Sequence, residues 1–252
     1  MSDLLSPTLH WLGQAGFALR SGETCVLFDP YLSDLCLRVH GLHRTVEAPV
    51  RPAQLGADLV LVSHWHEDHL DLDSAAEFVA AGARYLVPPS CAARLIGAGI
   101  DPAAVGAIRA GESVRHGDVS VIAVPARHAV PGFLTEDAVG FLVDLAGTRT
   151  YHSGDTDYDR SVVAAAGGEP IDVALLCVNG TGGNMNAWEA AALAAQLAPR
   201  RAVPMHFGMW SASAYGPGST LDPEVFADLY RRLRPGADVV VPRLGHEFAV
   251  RG

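Results

Sequence analysis

Positive charge is scarce in this chain. Its 18 basic residues are all arginines, because lysine is absent, and they face 28 acidic residues for a formal net charge of −10. The arginines are scattered and form no long basic run. Binding of nucleic acid is therefore disfavoured, because it depends on clustered positive charge that neutralises successive phosphates.

Cysteines and long apolar runs are also few. The four cysteines (Cys25, Cys36, Cys91 and Cys177) show no Cys-x-x-Cys spacing, and no apolar run reaches the ~20 residues of a membrane span. Residues 1–7 lack the basic and apolar segments of a secretory signal. We therefore expect a reduced, cytoplasmic protein with no membrane partner.

The composition supports a large core. Of the 252 residues, 49% are hydrophobic and 18% are charged, and no linker-like segment divides the chain. We expect one domain spanning residues 1–252. The sequence leaves the oligomeric state open, including a homo-oligomer.

Apolar runs and helical periodicities alternate along the chain. Strands are predicted at 8–12, 17–19, 24–29, 59–62, 84–87, 119–124, 139–145, 151–152, 173–178, 202–205, 239–241 and 247–250. Helices are predicted at 72–81, 90–97, 159–166, 188–197 and 223–233. Residues 30–57 lack periodicity, as functional or mobile loops do. The pattern indicates a layered α/β protein, with two facing sheets and helices outside.

One short segment concentrates groups that bind metals. Residues 64–69 read His-Trp-His-Glu-Asp-His, between an apolar run and a helix-like stretch. Buried imidazoles are costly unless each ring has a partner, and a divalent cation supplies one. On an extended strand end His64 and His66 point the same way, while Asp68 and His69 follow on the turn. The spacing suggests two adjacent metal positions; the alternative is a solvated polar turn.

With several distant segments, this motif resembles the metallo-β-lactamase superfamily, and more narrowly its branch of ascorbate-6-phosphate lactonase-like hydrolases. The matching segments are Trp-Leu-Gly-Gln-Ala-Gly-Phe at 11–17, Phe-Asp-Pro-Tyr-Leu at 28–32, residues 63–71, Tyr-His-Ser-Gly-Asp-Thr at 151–156, Ile-Asp-Val-Ala-Leu at 171–175 and Pro-Met-His at 204–206. They cover almost the whole chain. The resemblance implies a four-layer αββα sandwich with a metal site at one sheet edge.

The resemblance also implies a set of seven metal ligands. His64, His66 and His128 would bind one ion, Asp68, His69 and His206 a second, and Asp155 would bridge the two. Each ligand outside the six-residue motif follows an apolar strand, where a rigid scaffold can present it.

A hydrolase is the expected activity. Two such cations share and activate a water, and we expect Asp68 and Asp155 to be the catalytic residues that orient it or handle its proton. Nitrogen and oxygen ligands suit zinc, manganese and iron. The resemblance to the lactonases makes manganese a candidate beside zinc. The expected substrate is a small, anionic molecule, either a lactone, such as a sugar-phosphate lactone, or a phosphoester.

Other residues are candidates for supporting roles. Asp29, after a strand, is expected either to orient a ligating histidine or to cap a turn. His152, close in sequence to Asp155, is open between support of the ligands and ordinary packing. His246 is a candidate to line the pocket, and His10 and His116 are expected to be structural or at the surface. Candidates to line the pocket are Tyr31, Trp65, Trp210 and the glycine-rich loop 179–184, for which a flexible surface connection is the equal alternative. Candidates to pair with a substrate anion are Arg38, Arg44, Arg51 and Arg127, although an ordinary surface position is favoured for each of them taken singly.

Three alternatives to a small-molecule hydrolase stay open. The same ligands could hold two irons in a redox enzyme, although no flavin-binding segment is recognisable. A nuclease is a further alternative, disfavoured by the acidic charge. A binding protein without catalysis is the last, disfavoured by the complete ligand set.

Overall fold

Two seven-stranded sheets form the centre of the protein. The structure is a computed structural model that describes residues 6–130 and 133–250, so residues 1–5, part of the segment in which we expect no signal, lie outside it. The first sheet contains β1 (Thr8–Gly13), β2 (Gly16–Ser21), β3 (Thr24–Phe28), β4 (Leu59–Leu61), β5 (Arg84–Val87), β6 (Val105–Ala107) and β16 (Glu247–Ala249). The second contains β7 (Ser113–His116), β8 (Val119–Pro125), β11 (Val139–Leu145), β12 (Thr148–His152), β13 (Val173–Cys177), β14 (Arg201–Met205) and β15 (Asp238–Val239). A small hairpin pairs β9 (Ala129–Val130) with β10 (Phe133–Leu134).

The two sheets repeat one plan. The first has the order β16-β1-β2-β3-β4-β5-β6 and the second β15-β14-β13-β12-β11-β8-β7. In each, one half is antiparallel and the other parallel, the parallel strands being β3 to β6 and β12 to β15. Parallel neighbours end at the same edge of a sheet, so loops after β3, β4, β12 and β14 are brought to carboxyl-terminal edges.

Alternating side chains place the sheets face to face. In β3, Val26 and Phe28 belong to the core shared with the second sheet, whereas Cys25 and Leu27 pack on the other face with Phe78 and other residues of the outer helices. This period-two alternation is what a strand buried on both faces requires. The outer layer of the first sheet is formed by α2 (Leu72–Ala80) and α3 (Pro89–Gly97).

Helices cover the second sheet in the same way. They are α4 (Arg160–Ala166), α5 (Ala187–Leu197) and α7 (Glu224–Leu233), and they contact β8, β13 and β15 respectively. The side chain of Asn186 accepts hydrogen bonds from the first turn of α5 while Glu189 bonds back, which defines where that helix begins. The expected αββα sandwich is therefore confirmed.

The sequence missed the shorter elements. Residues 30–57, expected to lack structure, contain α1 (Leu35–His40) and a 3₁₀ turn (Pro52–Gln54), and α6 (Ala212–Tyr215) follows β14. α1 buries only Leu35 and Cys36, too few residues to give a helical stripe. The edge strands β6 and β7 were also missed, since β6 is short and half-buried, β7 is largely exposed, and neither shows apolar alternation. Among the described residues, no helix is long and apolar enough to cross a membrane.

Candidate metal centre

The seven predicted ligands lie at the ends of strands along one edge of the sandwich. Residues 64–69 follow β4, His128 follows β8, Asp155 follows β12 and His206 follows β14. The edges of both sheets contribute, so the side chains converge between them although up to 142 residues of sequence separate them. The structure brings all seven together.

The first cluster, named here the His64 group, consists of His64, His66 and His128. Nδ1 of His66 lies 3.0 Å from Nε2 of His64 and 3.1 Å from Nε2 of His128. Two neighbours thus compete for the single hydrogen bond that this ring nitrogen can form. Three imidazole nitrogens converging on one point are the geometry of a metal site rather than of a hydrogen-bond network.

The second cluster, the His206 group, consists of Asp68, His69 and His206. The Nε2 atoms of the two histidines are 3.2 Å apart, and Oδ2 of Asp68 is 3.4 Å from Nε2 of His206. A tetrahedral ion with metal–nitrogen bonds of about 2.0–2.1 Å holds its ligand atoms about 3.3 Å apart. The spacing in both groups fits a cation at the centre of each.

Asp155 lies between the two groups. Its Oδ1 is 3.4 Å from Nε2 of His69 and 3.2 Å from Nε2 of His206, and its Oδ2 is 3.8 Å from Nε2 of His128. One carboxylate oxygen therefore faces each group. Nδ2 of Asn184 donates to Oδ2 at 2.6 Å, which fixes the plane of the carboxylate.

Asp29 is connected by hydrogen bonds to a histidine in each group. This is the contact expected of a residue that orients ligating histidines. Its Oδ2 lies 2.8 Å from Nδ1 of His69 and accepts from Oγ of Ser63 at 2.6 Å. The same Oγ is 2.9 Å from Nδ1 of His64, so it can accept that proton while donating its own to Asp29. With Nδ1 protonated, each ring turns the lone pair of Nε2 towards the cluster, as a ligand requires.

The electrostatics of the groups differ. Burial lowers the pKa of His64 well below its usual value, helped by the neighbouring His69 and His128, and burial lowers the pKa of His66 to about 4. The His64 group is therefore neutral and offers lone pairs. In the His206 group, burial is outweighed by nearby carboxylates, chiefly Asp155, which raise the pKa of His69 well above its usual value and that of His206 to about 9.

The carboxylates show the reciprocal effect. Burial opposes ionisation of both Asp155 and Asp68. The neighbouring His206 and His69 nevertheless hold the pKa of each carboxyl group well below its usual value. The protein without metal thus keeps protons on histidines beside ionised carboxylates. A divalent cation can replace those protons, because it supplies the same positive charge at the same place.

His152 positions the loop that carries Asp155. Its Nε2 donates to the carbonyl of Ala15 at 2.9 Å, and its Nδ1 accepts from the backbone N–H of Gly154 at 3.1 Å. The ring also stacks on Phe28. Of the two roles open to His152, these contacts support the one in which it holds the loop of a ligand in place.

Sequence reasoning missed Gln14 as a functional residue. Its Nε2 donates to Oδ2 of Asp68 at 2.8 Å and its backbone carbonyl accepts from the N–H of His206 at 2.9 Å. Gln14 is fully buried and has φ 51°, in the left-handed region. A buried polar residue between two glycines, Gly13 and Gly16, in the first matching segment was the available signal.

An open pocket of about 370 Å³ lies over the cluster. From the glycine-rich loop expected there, the structure places Asn179, Thr181, Gly182 and Asn184 in its wall. The aromatic candidates lie elsewhere. Tyr31 and Trp210 are buried against each other with ring centroids 5.8 Å apart, and Trp65 packs on the edge of His66 outside this pocket.

The arginines that were candidates to hold an anion do not line this pocket. Arg38 pairs with Asp73 at the surface, Arg44 donates to the carbonyl of Ser33 and lies over the Tyr31 ring, and Arg51 is exposed beside the 3₁₀ turn. Arg127 lies in an adjoining recess, 4.0 Å from Asp159. His246 is exposed and does not line the pocket, and His10 and His116 are half-buried outside it, as expected.

Comparison with known proteins agrees with this geometry. The profile of the β-lactamase superfamily domain matches residues 24–207. A UPF0173 metal-dependent hydrolase of Thermococcus kodakarensis is 32% identical over 244 residues, covering 95% of this chain and 98% of the relative. A similar fold occurs in Igni18, a metallo hydrolase of Ignicoccus hospitalis (22% identity, TM-score 0.75, 96% of this chain and 97% of that one).

A second solved structure bears on the fold alone. It is the metallo-β-lactamase fold protein YhfI of Bacillus subtilis, with 16% identity, a TM-score of 0.69 and coverage of 96% of this chain and 99% of that one. The lactonase-like branch stays a prediction. With its histidine and aspartate cluster at the shared sheet edge, the chain belongs to the β-lactamase superfamily and, within it, to the UPF0173 metal-dependent hydrolases.

Proposed function

We propose that this hydrolase binds two divalent cations, Zn²⁺ or Mn²⁺, one in the His64 group and one in the His206 group, with Asp155 between them. We propose further that it opens a small lactone or cleaves a phosphoester there. The supporting observation is the convergence of ligand atoms at spacings of 3.0–3.4 Å below an open pocket of about 370 Å³. A pocket of this size suits a small molecule.

The chemistry of the cations and that of the chain are complementary. When bound, such a pair would lower the pKa of a bound water and polarise the substrate oxygen that gains charge. The chain supplies neutral imidazoles in the His64 group, and Asp155 counters the positive charge in both groups. These side chains come from rigid strand ends, so they need no rearrangement to hold their geometry.

Asp68 is proposed to handle the proton. Its Oδ2 is occupied by the hydrogen bond from Gln14, which leaves Oδ1 to orient the attacking water and accept its proton. In lactone opening the same carboxyl group can return that proton to the ring oxygen that leaves as an alcohol. Asp68 lines the pocket, so a substrate carbonyl placed there lies within its reach.

The test combines metal analysis with a substrate panel. The protein, purified without chelator, is expected to contain about two cations per chain and to hydrolyse simple γ-lactones or an aryl phosphodiester. Asp155→Asn is expected to lose metal and to reduce turnover at least ~100-fold, since even residues that only support ligands contribute 10–100-fold. Asp118→Asn, at the exposed turn between β7 and β8, is the matched control.

Two outcomes would count against the proposal. One is metal at trace level only, and the other is turnover unaffected by Asp155→Asn. A coloured, iron-containing preparation with no hydrolysis of either substrate class would instead favour the redox alternative.

A further inference from the structure

Among the described residues, those that line the pocket over the ligand cluster include none with a permanent positive charge. Because the chain has no lysine, every such charge must come from an arginine. None of the arginines within residues 6–130 and 133–250 lines this pocket. A phosphate or carboxylate on the part of the substrate that does not react would therefore find no arginine to pair with.

The mouth of the pocket is acidic. Glu67 lies in the wall, and its Oε2 is 2.9 Å from Nε2 of His40, which also lines the pocket. The carboxylate of Glu67 therefore faces the imidazole at the mouth, so that His40 is already paired and offers no free cation to an anionic group.

The adjoining recess does not change this balance. Arg127 lines it, but Glu136 and Asp157 line it as well. Any group that extends past His128 into this recess therefore meets two carboxylates for one guanidinium. An anionic substituent is disfavoured there too.

The remaining walls are uncharged. They include the apolar side chain of Leu42 and the buried thiol of Cys36, whose pKa is raised by burial. They also include Asn179, Thr181 and Asn184, which offer amides and a hydroxyl. A lining of apolar and neutral polar groups suits a substrate body that combines carbon with hydroxyl or amide groups.

We infer that the pocket selects substrates whose non-reacting part is uncharged and rejects those that carry a phosphate or carboxylate there. This inference rests on the proposed function, because it concerns the part of the substrate away from the metal cluster. The sequence led us to expect an anionic substrate, and the lining of the pocket argues against that expectation. A neutral lactone is therefore a better candidate than a sugar-phosphate lactone. Glu67 and Leu42 are the specificity-determining residues.

A matched pair of lactones isolates the charge. 5-Oxotetrahydrofuran-2-carboxamide and 5-oxotetrahydrofuran-2-carboxylate have nearly the same shape and differ by one negative charge. The expected kcat/KM of the metal-loaded enzyme is higher for the carboxamide by roughly tenfold, the scale of one like-charge contact near a protein surface. Each value is divided by the rate of the same lactone in dilute hydroxide, which removes the difference in intrinsic reactivity.

Variants then test the residues. Leu42→Arg is expected to bring the preference to parity or reverse it, because Leu42 is only half-buried and an arginine there can reach the pocket. Leu42→Gln, of similar length and uncharged, should retain the preference. Glu67→Gln should reduce the preference several-fold, whereas Glu23→Gln, in the exposed turn between β2 and β3, should leave it unchanged.

Binding gives a second readout that does not need turnover. The corresponding lactams, 2-pyrrolidinone-5-carboxamide and 2-pyrrolidinone-5-carboxylate, are titrated calorimetrically into the metal-loaded protein, and tighter binding of the carboxamide supports the inference. Equal or tighter binding of the carboxylate, or binding of neither, would overturn it. If the lactams bind selectively but no lactone is hydrolysed, the inference stands and the proposed reaction fails.

Discussion

Asp29 accepts a hydrogen bond from His69 at the sheet edge that carries the ligand cluster. Oδ2 of Asp29 lies 2.8 Å from Nδ1 of His69, and both side chains are fully buried. Through Ser63 the same carboxylate also reaches His64. One residue that ligates nothing in the proposed centre therefore sets the ring orientation of a histidine in each group.

Replacing Asp29 by Asn is expected to weaken metal binding while the chain still folds. Asn tolerates the left-handed backbone of this position (φ 39°), but it offers one acceptor atom where the carboxylate serves His69 and Ser63 together. The Kd for Zn²⁺, measured by competition with a coloured chelator, should rise 10–100-fold.

The matched control for this variant is Asp58→Asn. Asp58 also accepts a backbone hydrogen bond, from Cys25 at 2.8 Å, but lies at the other end of β4. It should leave the Kd unchanged, and the melting temperatures of both metal-free variants report on folding. An unaltered Kd in Asp29→Asn would show that Asp29 is structural only.

Removing metal is expected to lower thermal stability. A cation that binds only the folded chain adds about 2.7 kcal/mol at 100 times its Kd. For a chain of this length that corresponds to a fall of roughly 5–10 °C in Tm on chelation. Differential scanning calorimetry before and after dialysis against chelator, and again after Zn²⁺ or Mn²⁺ is returned, measures it. A Tm that does not respond would contradict a metal centre built from these groups.

The stability of the metal-free protein is expected to peak near pH 6.5. The pKa of His206 is raised to about 9, so its stabilising contribution is complete below its unfolded value of about 6.5 and is lost as pH rises through 9. The pKa of His66 is lowered to about 4, so the unfolded chain binds more protons between pH 4 and 6.5 and stability falls there as pH falls.

The affinity for metal should depend on the same proton of His206. A cation in the His206 group displaces the proton of His206, so its affinity should increase as pH rises from 6.5 towards 9. The difference in Tm between loaded and metal-free protein should therefore widen over this interval. Melting curves of both forms between pH 5 and 9.5 check both expectations, and a difference that narrows with rising pH would refute this proton linkage.

Gly154 should not tolerate alanine. Its φ is +58°, and an added Cβ would lie 2.7 Å from Cβ of Ser63 and 2.8 Å from the carbonyl oxygen of Val139. The loop would have to shift, and Asp155 would shift with it. Gly154→Ala is expected to lower both Tm and metal content.

Gly117→Ala separates this clash from backbone strain. Gly117 has almost the same φ, +56°, but a Cβ there meets nothing within 4 Å. It should cost only the ~1 kcal/mol of a left-handed alanine and leave metal content unchanged. Equal effects of the two variants would mean that the contact with Ser63 is unimportant.

Much of the fold was predictable because its signals are local. The long strands β8 and β11 and the helices α2, α5 and α7 carry apolar periodicity within a single element, and their predicted bounds lie within one or two residues of those observed. The short α1 and the edge strand β7 carry none, because few of their residues are buried. Tertiary contacts alone hold them in place.

The surroundings of the cluster were predicted less well. Tyr31 and Trp210 were candidates to line the pocket but pack together beneath α1. Arg38 pairs with Asp73 at the surface, the position favoured for each arginine, and Arg44 donates to the backbone. An aromatic or basic residue in a loop looks the same in the sequence whether it faces a pocket or a core. Only the path of the chain distinguishes the two.

By itself, the sequence determined which residues are candidates for the centre, because four of them lie within six residues and the resemblance to the superfamily adds three that follow recognisable strands. The tertiary structure decided what surrounds them. The hydrogen bond from Gln14 to Asp68 joins residues 54 apart, and that from Asn184 to Asp155 joins residues 29 apart. Such contacts, and the absence of arginine from the described pocket, depend on where loops from two sheets meet. Local periodicity places strands and helices but carries no information about which loop side chains face one another across the sheet edge.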